Sequence, residues 1–265
     1  MKLVKYQALG NDYLFINSAE EAFPEPEFTK QICHRNFGIG SDGVLYGGIS
    51  GGKFEVVIIN PDSSVAEISG NGVRIFARAM FDQGHVAIGD EFCVSTGSRQ
   101  VMCKVASAGE ISVDMGMPSF SASNLPAESA LGRSIAVNGR KYTYYAVSMG
   151  NPHCVIFVDT LVHEHVLDDG PILENNPAFI EKTNVQFAKI IDKNNIEIEI
   201  WERGAGYTLA SGSSSCGVFA VTRMLGKCTS EVDIHMHGGI LHVKETPSGA
   251  IAQIGPAKKI AECTL

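Results

Sequence analysis

Short runs in which apolar and polar residues alternate recur along the chain and predict many β-strands. The clearest runs are 54–60, 111–115, 196–202 and 235–243, the last predicted to be a hairpin that turns at Gly238-Gly239. Turn-forming residues such as Asn60-Pro61-Asp62 separate these runs. The pattern predicts a protein built mainly from strands, with few helices.

Two segments, 72–81 and 216–225, are apolar around most of a helical circumference and end near glycines, at Gly84 and Gly226. A helix of that kind belongs in the interior of a domain. Similar small polar loops, beginning at Ser69-Gly70 and Ser211-Gly212, precede the two segments. They lie about half the chain length apart, which indicates an internal repeat.

The repeat predicts an α+β fold with two pseudo-symmetric domains, each a mostly antiparallel sheet or barrel around one central buried helix. We expect the N-terminal half at 1–117, with a C-terminal strand at 255–265 that packs back onto it, and the second half at 118–254. The expected boundary is near Met117-Pro118, and a polar stretch from Ser119 to Ser129 follows it.

The composition excludes several classes of protein. The 265 residues carry 21 Lys and Arg against 29 Asp and Glu, a net charge of −8, which argues against a nucleic-acid partner. No apolar run long enough to span a membrane occurs, and the first residues do not form a signal peptide. Seven cysteines without a Cys-x-x-Cys pair favour reduced thiols and a cytoplasmic location.

The two Ser-Gly helix starts also carry the candidate chemistry. A serine N-cap alone is a common structural feature, but two in matched positions are not. If the halves face each other, two helix N-termini converge on one cleft and form a pocket for a carboxylate. Glu202-Arg203 and four asparagines at strand ends could bind the remaining groups of an amino acid. The four are Asn11, Asn60, Asn151 and Asn184.

Motifs along almost the whole chain resemble those of the diaminopimelate epimerase family, the pyridoxal-independent epimerases of lysine and cell-wall synthesis. The matching segments are Tyr6–Tyr13, 60–64, 70–74, Gly150–His153, Thr183–Val185, Glu202–Gly206 and Gly255–Ala257. This resemblance implies stereoinversion of LL-diaminopimelate to the meso form, without a cofactor, by two bases on opposite faces of the α-carbon. It also implies a cytoplasmic homodimer that binds a small amino acid as its substrate.

The resemblance implies roles for particular residues. The two base positions are Ser69 and Ser211. The amides of Gly70, Asn71, Gly72, Gly212 and Ser213 would hold the substrate carboxylate. Asn11 would lie near the reacting end, while the distal groups would be bound by Asn60, Asn151, Asn184, Glu202 and Arg203.

Serine at both base positions departs from the family pattern, which has cysteine there. A hydroxyl is a far weaker acid than a thiol, and no residue adjacent in sequence supplies a base partner; His153 is the nearest candidate. The chain could be a Cys-to-Ser variant, a natural serine-bearing relative, or a relative that binds without turnover. Tyr207 and Ile75 also depart from the pattern, which favours natural divergence. A racemase of histidine or another diamino acid is the alternative activity.

Neither of two further motifs predicts a cofactor or metal site. Gly38–Gly43 fits Gly-x-Gly-x-x-Gly, but the strand-like Val44-Leu45-Tyr46 follows it where a dinucleotide site needs a helix. His235, His237 and His242 could suggest a metal, but alternation on a hairpin explains the first two and no carboxylate or cysteine lies at ligand spacing, so no metal site is predicted.

Overall fold

The computed structural model describes residues 1–66, 69–97, 99–126 and 131–265. The chain divides into two units, Met1–Asp114 with Ile254–Leu265, and Met115–Gln253. Part of the polar stretch 119–129, which was predicted to follow the boundary, lies outside the described residues, at 127–129. Among the described residues, no helix is long and apolar enough to cross a membrane.

Most of the secondary structure is β-strand. The strands are β1 (Lys2–Ala8), β2 (Asn11–Asn17), β3 (Val44–Ser50), β4 (Lys53–Ile59), β5 (Glu91–Ser95), β6 (Gln100–Val105), β7 (Glu110–Asp114), β8 (Leu131–Val137), β9 (Arg140–Ser148), β10 (Pro152–Phe157), β11 (Asn184–Ile190), β12 (Asn195–Glu202), β13 (Gly206–Thr208), β14 (Glu231–Met236), β15 (Gly239–Glu245), β16 (Ile251–Pro256) and β17 (Lys258–Thr264). The helices in the described residues are α1 (Pro26–Cys33), α2 (Gly70–Asp82), α3 (His163–Glu174) and α4 (Gly212–Met224).

The first unit is a mostly antiparallel arrangement with two parallel pairs. Strand β17 pairs antiparallel with β1, and β1 pairs antiparallel with β2. The parallel pair β2–β3 is connected through α1, and the parallel pair β4–β5 through α2. Antiparallel pairs β3–β4, β5–β6 and β6–β7 complete the order.

The second unit repeats this order. Strands β8, β9 and β10 pair antiparallel, and the parallel pair β10–β11 is connected through α3. Strand β12 pairs antiparallel with β11 and parallel with β14, with α4 in the connection, and β14–β15 is antiparallel. In this order β8 corresponds to β17. The predicted α+β fold of two pseudo-symmetric, mostly antiparallel halves around a helix is confirmed.

Helices α2 and α4 begin earlier than predicted. Their expected starts at Gly72 and Cys216 were wrong by two and four residues, because glycine and serine fill the first turns. Ser69 and Ser211 are the N-caps: each has an extended backbone, and its side chain accepts a hydrogen bond from the amide three residues later. Almost all of both helices is buried, as their apolar circumference predicts.

The sequence pattern did not reveal α1 and α3. Helix α1 has only eight residues, and α3 contains Gly170 and Pro171, which are unusual inside a helix. Gly170 is required by packing, since a Cβ there would lie 2.7 Å from Cγ of Trp201 on β12. The indole in turn donates to Glu174 at 2.8 Å, so α3 packs closely on this strand.

A buried carboxylate also attaches α3 to the sheet. The Asp169 side chain, which is fully buried, accepts hydrogen bonds from Asn138, from both Nε and Nη2 of Arg140, and from Tyr142. Burial alone would raise the pKa of Asp169, but these donors outweigh it and hold the pKa below its usual value.

We expect Asp169→Ala to lower the free energy of unfolding by about 3 kcal/mol, because the side chains of Asn138, Arg140 and Tyr142 lose their acceptor. Denaturant unfolding at neutral pH measures this change. The contribution of Asp169 is present above its unfolded-state pKa of about 3.9 and is lost as the pH falls through the lower folded-state pKa. The control is Asp168→Ala, whose side chain is 64% exposed. An equal loss in both variants would contradict the prediction.

Candidate active site

Ser69 lies at the start of α2 in the first unit. Its Oγ accepts a hydrogen bond from the Gly72 amide at 3.0 Å and another from the Tyr13 hydroxyl at 3.3 Å. A Cβ on Gly72 would lie 3.2 Å from Cβ of Ser69 and 3.3 Å from Leu45 on β3. Glycine at 72 therefore leaves room for the Ser69 side chain beneath the first turn.

Asn11 is held by a network of charged groups. Its Nδ2 donates to Asp42 at 2.8 Å, and Arg35 bridges Asp42 and Asp12 at 2.6 and 2.9 Å. Burial acts to raise the pKa of Asp12, but hydrogen bonds from Arg35 and Lys5 hold it below the usual value. The network directs the Asn11 amide nitrogen toward Asp42. Asp42 lies within the Gly38–Gly43 motif, and Arg35 lies just before that motif. The strand β3 follows that motif, as expected.

The other candidate residues of the first unit lie near α2 or at the end of β4. Asn60 donates from Nδ2 to Ser64 Oγ at 2.9 Å within the turn that follows β4. Gly70, Asn71 and Gly72 form the buried first turn of α2. The Asn71 side-chain oxygen accepts from Arg74 at 2.6 Å, so this asparagine braces the helix start.

Ser211, which is 3% exposed, lies at the start of α4 in the second unit. Its hydroxyl donates to Glu202 Oε2 at 3.0 Å, and its Oγ accepts from the Ser214 amide at 3.4 Å. Sequence adjacency did not indicate this partner, because Glu202 is nine residues from Ser211. The short β12–β13 hairpin, in which Glu202 pairs with Gly206, reverses the chain between them. Ser211 thus has a carboxylate partner that is not adjacent to it in sequence.

A buried chain of hydrogen bonds connects Asn151 with α4. His153 shares hydrogen bonds with Asn151 Oδ1 at 3.0 Å and with Gln186 at 3.1 Å, and Gln186 donates to Ser214 Oγ at 3.0 Å. Burial, with a smaller effect of Arg203, lowers the pKa of His153 to about 3. His153 is thus neutral near pH 7, and both ring nitrogens are occupied. It positions Asn151 rather than serving as the partner of a serine.

Asn184 and Arg203 are connected directly. The Asn184 side chain accepts from the Arg203 amide at 3.0 Å and donates to the Pro152 carbonyl at 2.9 Å. Both the oxygen and the nitrogen of its carboxamide are therefore hydrogen-bonded to the backbone, at Arg203 and at Pro152. The Arg203 guanidinium donates to the Glu181 carbonyl at 3.1 Å.

Gly212 and Ser213, the remaining candidates, lie in the buried first turn of α4. A Cβ on Gly212 would overlap the side-chain amide of Gln253. In both units the first-turn amides follow a serine cap, and such amides point out of the helix start. Each unit thus presents a serine hydroxyl beside amides that suit an anion.

The model of the diaminopimelate epimerase family matches residues 3–121 and 145–260. The chain belongs to the diaminopimelate epimerase family. It is 44% identical to diaminopimelate epimerase 2 of Nostoc sp. strain PCC 7120, over 99% of this chain and 94% of that protein. It is 35% identical to diaminopimelate epimerase of Synechococcus sp. strain JA-2-3B'a(2-13), over 96% and 94%.

The fold is shared more widely than the sequence. A crystal structure of a hydroxyproline epimerase from Agrobacterium vitis, with bound trans-4-hydroxy-L-proline, superposes with a TM-score of 0.69. The identity is 11%, and the match covers 99% of this chain and 90% of that one. This likeness supports the two-unit epimerase fold of the family and says nothing about the substrate.

The structure also brings together residues that the sequence analysis did not connect. Tyr13 contacts Ser69, and Glu202 contacts Ser211, so each serine has a titratable partner. His163, Glu199 and His237 form a separate group of possible metal ligands in the second unit. Of the three hairpin histidines discussed in the sequence analysis, only His237 belongs to this group.

Proposed function

We propose that this protein inverts the α-carbon of diaminopimelate, from the LL to the meso form, without a cofactor. Ser69 and Ser211 hold the two acid/base positions, one removing the α-proton while the other returns a proton. Membership of the family supports the reaction. The observation that carries the residue assignment is the serine cap, with a titratable partner, at the start of the central helix in each repeated unit.

On the Ser211 side, Glu202 supplies the basicity that a serine hydroxyl lacks. The Ser211 proton already lies toward Glu202 Oε2. As Ser211 Oγ takes the α-proton, its own proton passes to the carboxylate, so no free alkoxide forms. The Ser214 amide, which donates to the same Oγ, stabilises the negative charge that develops there.

On the Ser69 side, the hydroxyl serves as the acid. Its oxygen accepts from the Tyr13 hydroxyl and the Gly72 amide, which leaves its own proton for the carbanion. As that proton leaves, the Tyr13 proton moves to Ser69 and Tyr13 becomes a phenolate, while the Gly72 amide stabilises the charge that develops on Ser69 Oγ during the transfer. The reverse reaction exchanges the two roles.

The amides of the first helical turns hold the substrate carboxylate. Those of Gly70, Asn71, Gly212 and Ser213 lie at helix N-termini, where the dipole favours an anion, whereas the Gly72 amide donates to Ser69. Negative charge spreads onto the carboxylate when the α-proton leaves, so the same amides lower the barrier. The distal amino and carboxyl groups are bound by Asn60, Asn151, Asn184 and Arg203, with Asn11 near the reacting end.

The names of the relatives favour diaminopimelate over histidine or another diamino acid, because the sequence matches named above are diaminopimelate epimerases. We further propose a cytoplasmic homodimer. No disulfide bond joins any of the seven cysteines, which fits a reducing compartment.

Incubation with LL-diaminopimelate in D₂O tests the reaction. We expect the α-proton NMR signal to disappear as the meso isomer forms, and we expect Ser69→Ala and Ser211→Ala to stop this exchange. The control is Ser112→Ala on β7, which we expect to be fully active. Tight binding of diaminopimelate without exchange would show that the protein binds without turnover. Exchange of another amino acid alone would overturn the proposed substrate.

A further inference from the structure

Three side chains from separate elements of the second unit meet around one carboxylate. His163 begins α3, Glu199 lies in β12, and His237 lies in the turn between β14 and β15. His163 Nδ1 is 3.0 Å from Glu199 Oε2, and His237 Nε2 is 3.1 Å from Oε1. One ligand atom from each residue lies within 4.8 Å of the others.

This His-Glu-His cluster, meaning His163, Glu199 and His237, faces away from Ser211. Successive side chains of a strand point to opposite faces, so Glu199 and Trp201 share one face of β12 and Glu202 lies on the other. Trp201 packs against α3, whereas Glu202 contacts Ser211 at the start of α4. The cluster is thus separate from the candidate catalytic residues.

The carboxylate of the cluster is buried, whereas the two imidazoles are exposed to solvent. The Glu199 side chain is only 7% exposed, whereas His163 and His237 are 42% and 57% exposed. An ion could therefore reach the cluster from solvent and bind to a carboxylate that is already buried and held in place.

Tyr207 lies beside the cluster. Burial, together with the nearby Glu199 carboxylate, raises the pKa of Tyr207 to about 12. Its ring packs edge-on against His163, with centroids 4.8 Å apart. Groups that surround metal ligands in this way help to orient them.

We propose that His163, Glu199 and His237 bind a zinc-type divalent cation. Two imidazoles and one carboxylate are a ligand set of zinc, with a fourth position left for water. Zinc–ligand bonds of about 2.0–2.2 Å place tetrahedral ligand atoms roughly 3.3 Å apart. The two His–Glu separations of 3.0 and 3.1 Å are close to this spacing, and the two histidine atoms lie within 4.8 Å of each other.

The position of the cluster gives the ion a structural role. It would tie the start of α3 to β12 and to the β14–β15 turn. The next residue in that turn, Gly238, donates its amide to the Leu209 carbonyl at 2.8 Å, two residues before Ser211. The cation therefore stabilises the segment that leads into the α4 cap, without taking part in proton transfer.

Isothermal titration of the tag-free, chelator-treated protein with Zn²⁺ tests the proposal. We expect one ion per chain, a higher melting temperature with Zn²⁺, and no such shift with Mg²⁺. His163→Gln and His237→Gln should each weaken binding at least about tenfold. The matched control is His235→Gln on the same hairpin, which contacts Asn195 and should bind like the parent.

Circular dichroism of the glutamine variants checks that they fold, and Tyr207→Phe, which keeps all three ligands, provides a second test. We expect that variant to bind zinc about tenfold more weakly, through loss of the phenol group near Glu199. The proposal is overturned if the parent shows no saturable stoichiometric binding. It is also overturned if the folded His163→Gln and His237→Gln variants bind as tightly as His235→Gln.

Discussion

Replacing Ser69 and Ser211 together by cysteine is expected to raise kcat/KM for diaminopimelate epimerisation by about 10²–10⁴-fold. A thiol has a pKa near 8.5, which a helix N-terminus can lower to roughly 3.5–7.5. Each thiol would lie at such a start, beside the Gly72 or Ser214 amide. The thiolate would then act as a base without passing its proton to a partner.

Initial rates of meso formation in both directions measure this gain. The single variants should gain less than the double variant, because one serine still limits one of the two proton transfers. The control is Ser112→Cys on β7, which adds a thiol away from the helix starts and should leave the rate unchanged. No gain in a folded double variant would show that 69 and 211 are not the base positions. Inversion of a different amino acid would overturn only the substrate.

Glu202→Gln is expected to lower kcat about 10²-fold or more and to change KM little. The glutamine keeps the size of the side chain and can still accept a hydrogen bond from Ser211, but it cannot take up the proton. The Ser211 hydroxyl would then have to become a free alkoxide when it acts as the base.

Single-turnover exchange in D₂O separates this effect from binding. The matched control is Glu197→Gln, an exposed residue on the opposite face of β12, which should retain full activity. A raised KM with an unchanged kcat would contradict the prediction. That result would instead support the role implied by the family resemblance, in which Glu202 binds the distal end of the substrate.

The interior helices were predictable because their evidence is local. An apolar circumference needs no knowledge of the partner surface, and α2 and α4 are buried as expected. Their first turns were missed because Gly70-Asn71-Gly72 and Gly212-Ser213 have low helix propensity. The serine caps and packing against neighbouring side chains overcome it. Helix α3 was missed for a similar reason, since Gly170 is explained only by the proximity of Trp201.

The sequence by itself determined the family, the internal repeat, the buried helices and the two serines at their starts. Only the tertiary structure showed what those serines contact, because Tyr13 is 56 residues from Ser69 and the hairpin that brings Glu202 to Ser211 depends on strand pairing. It likewise assembled the His-Glu-His cluster from residues 36 and 38 positions apart. Helix burial and capping follow from nearby residues, whereas a hydrogen bond or a metal ligand set depends on which distant segments pack together.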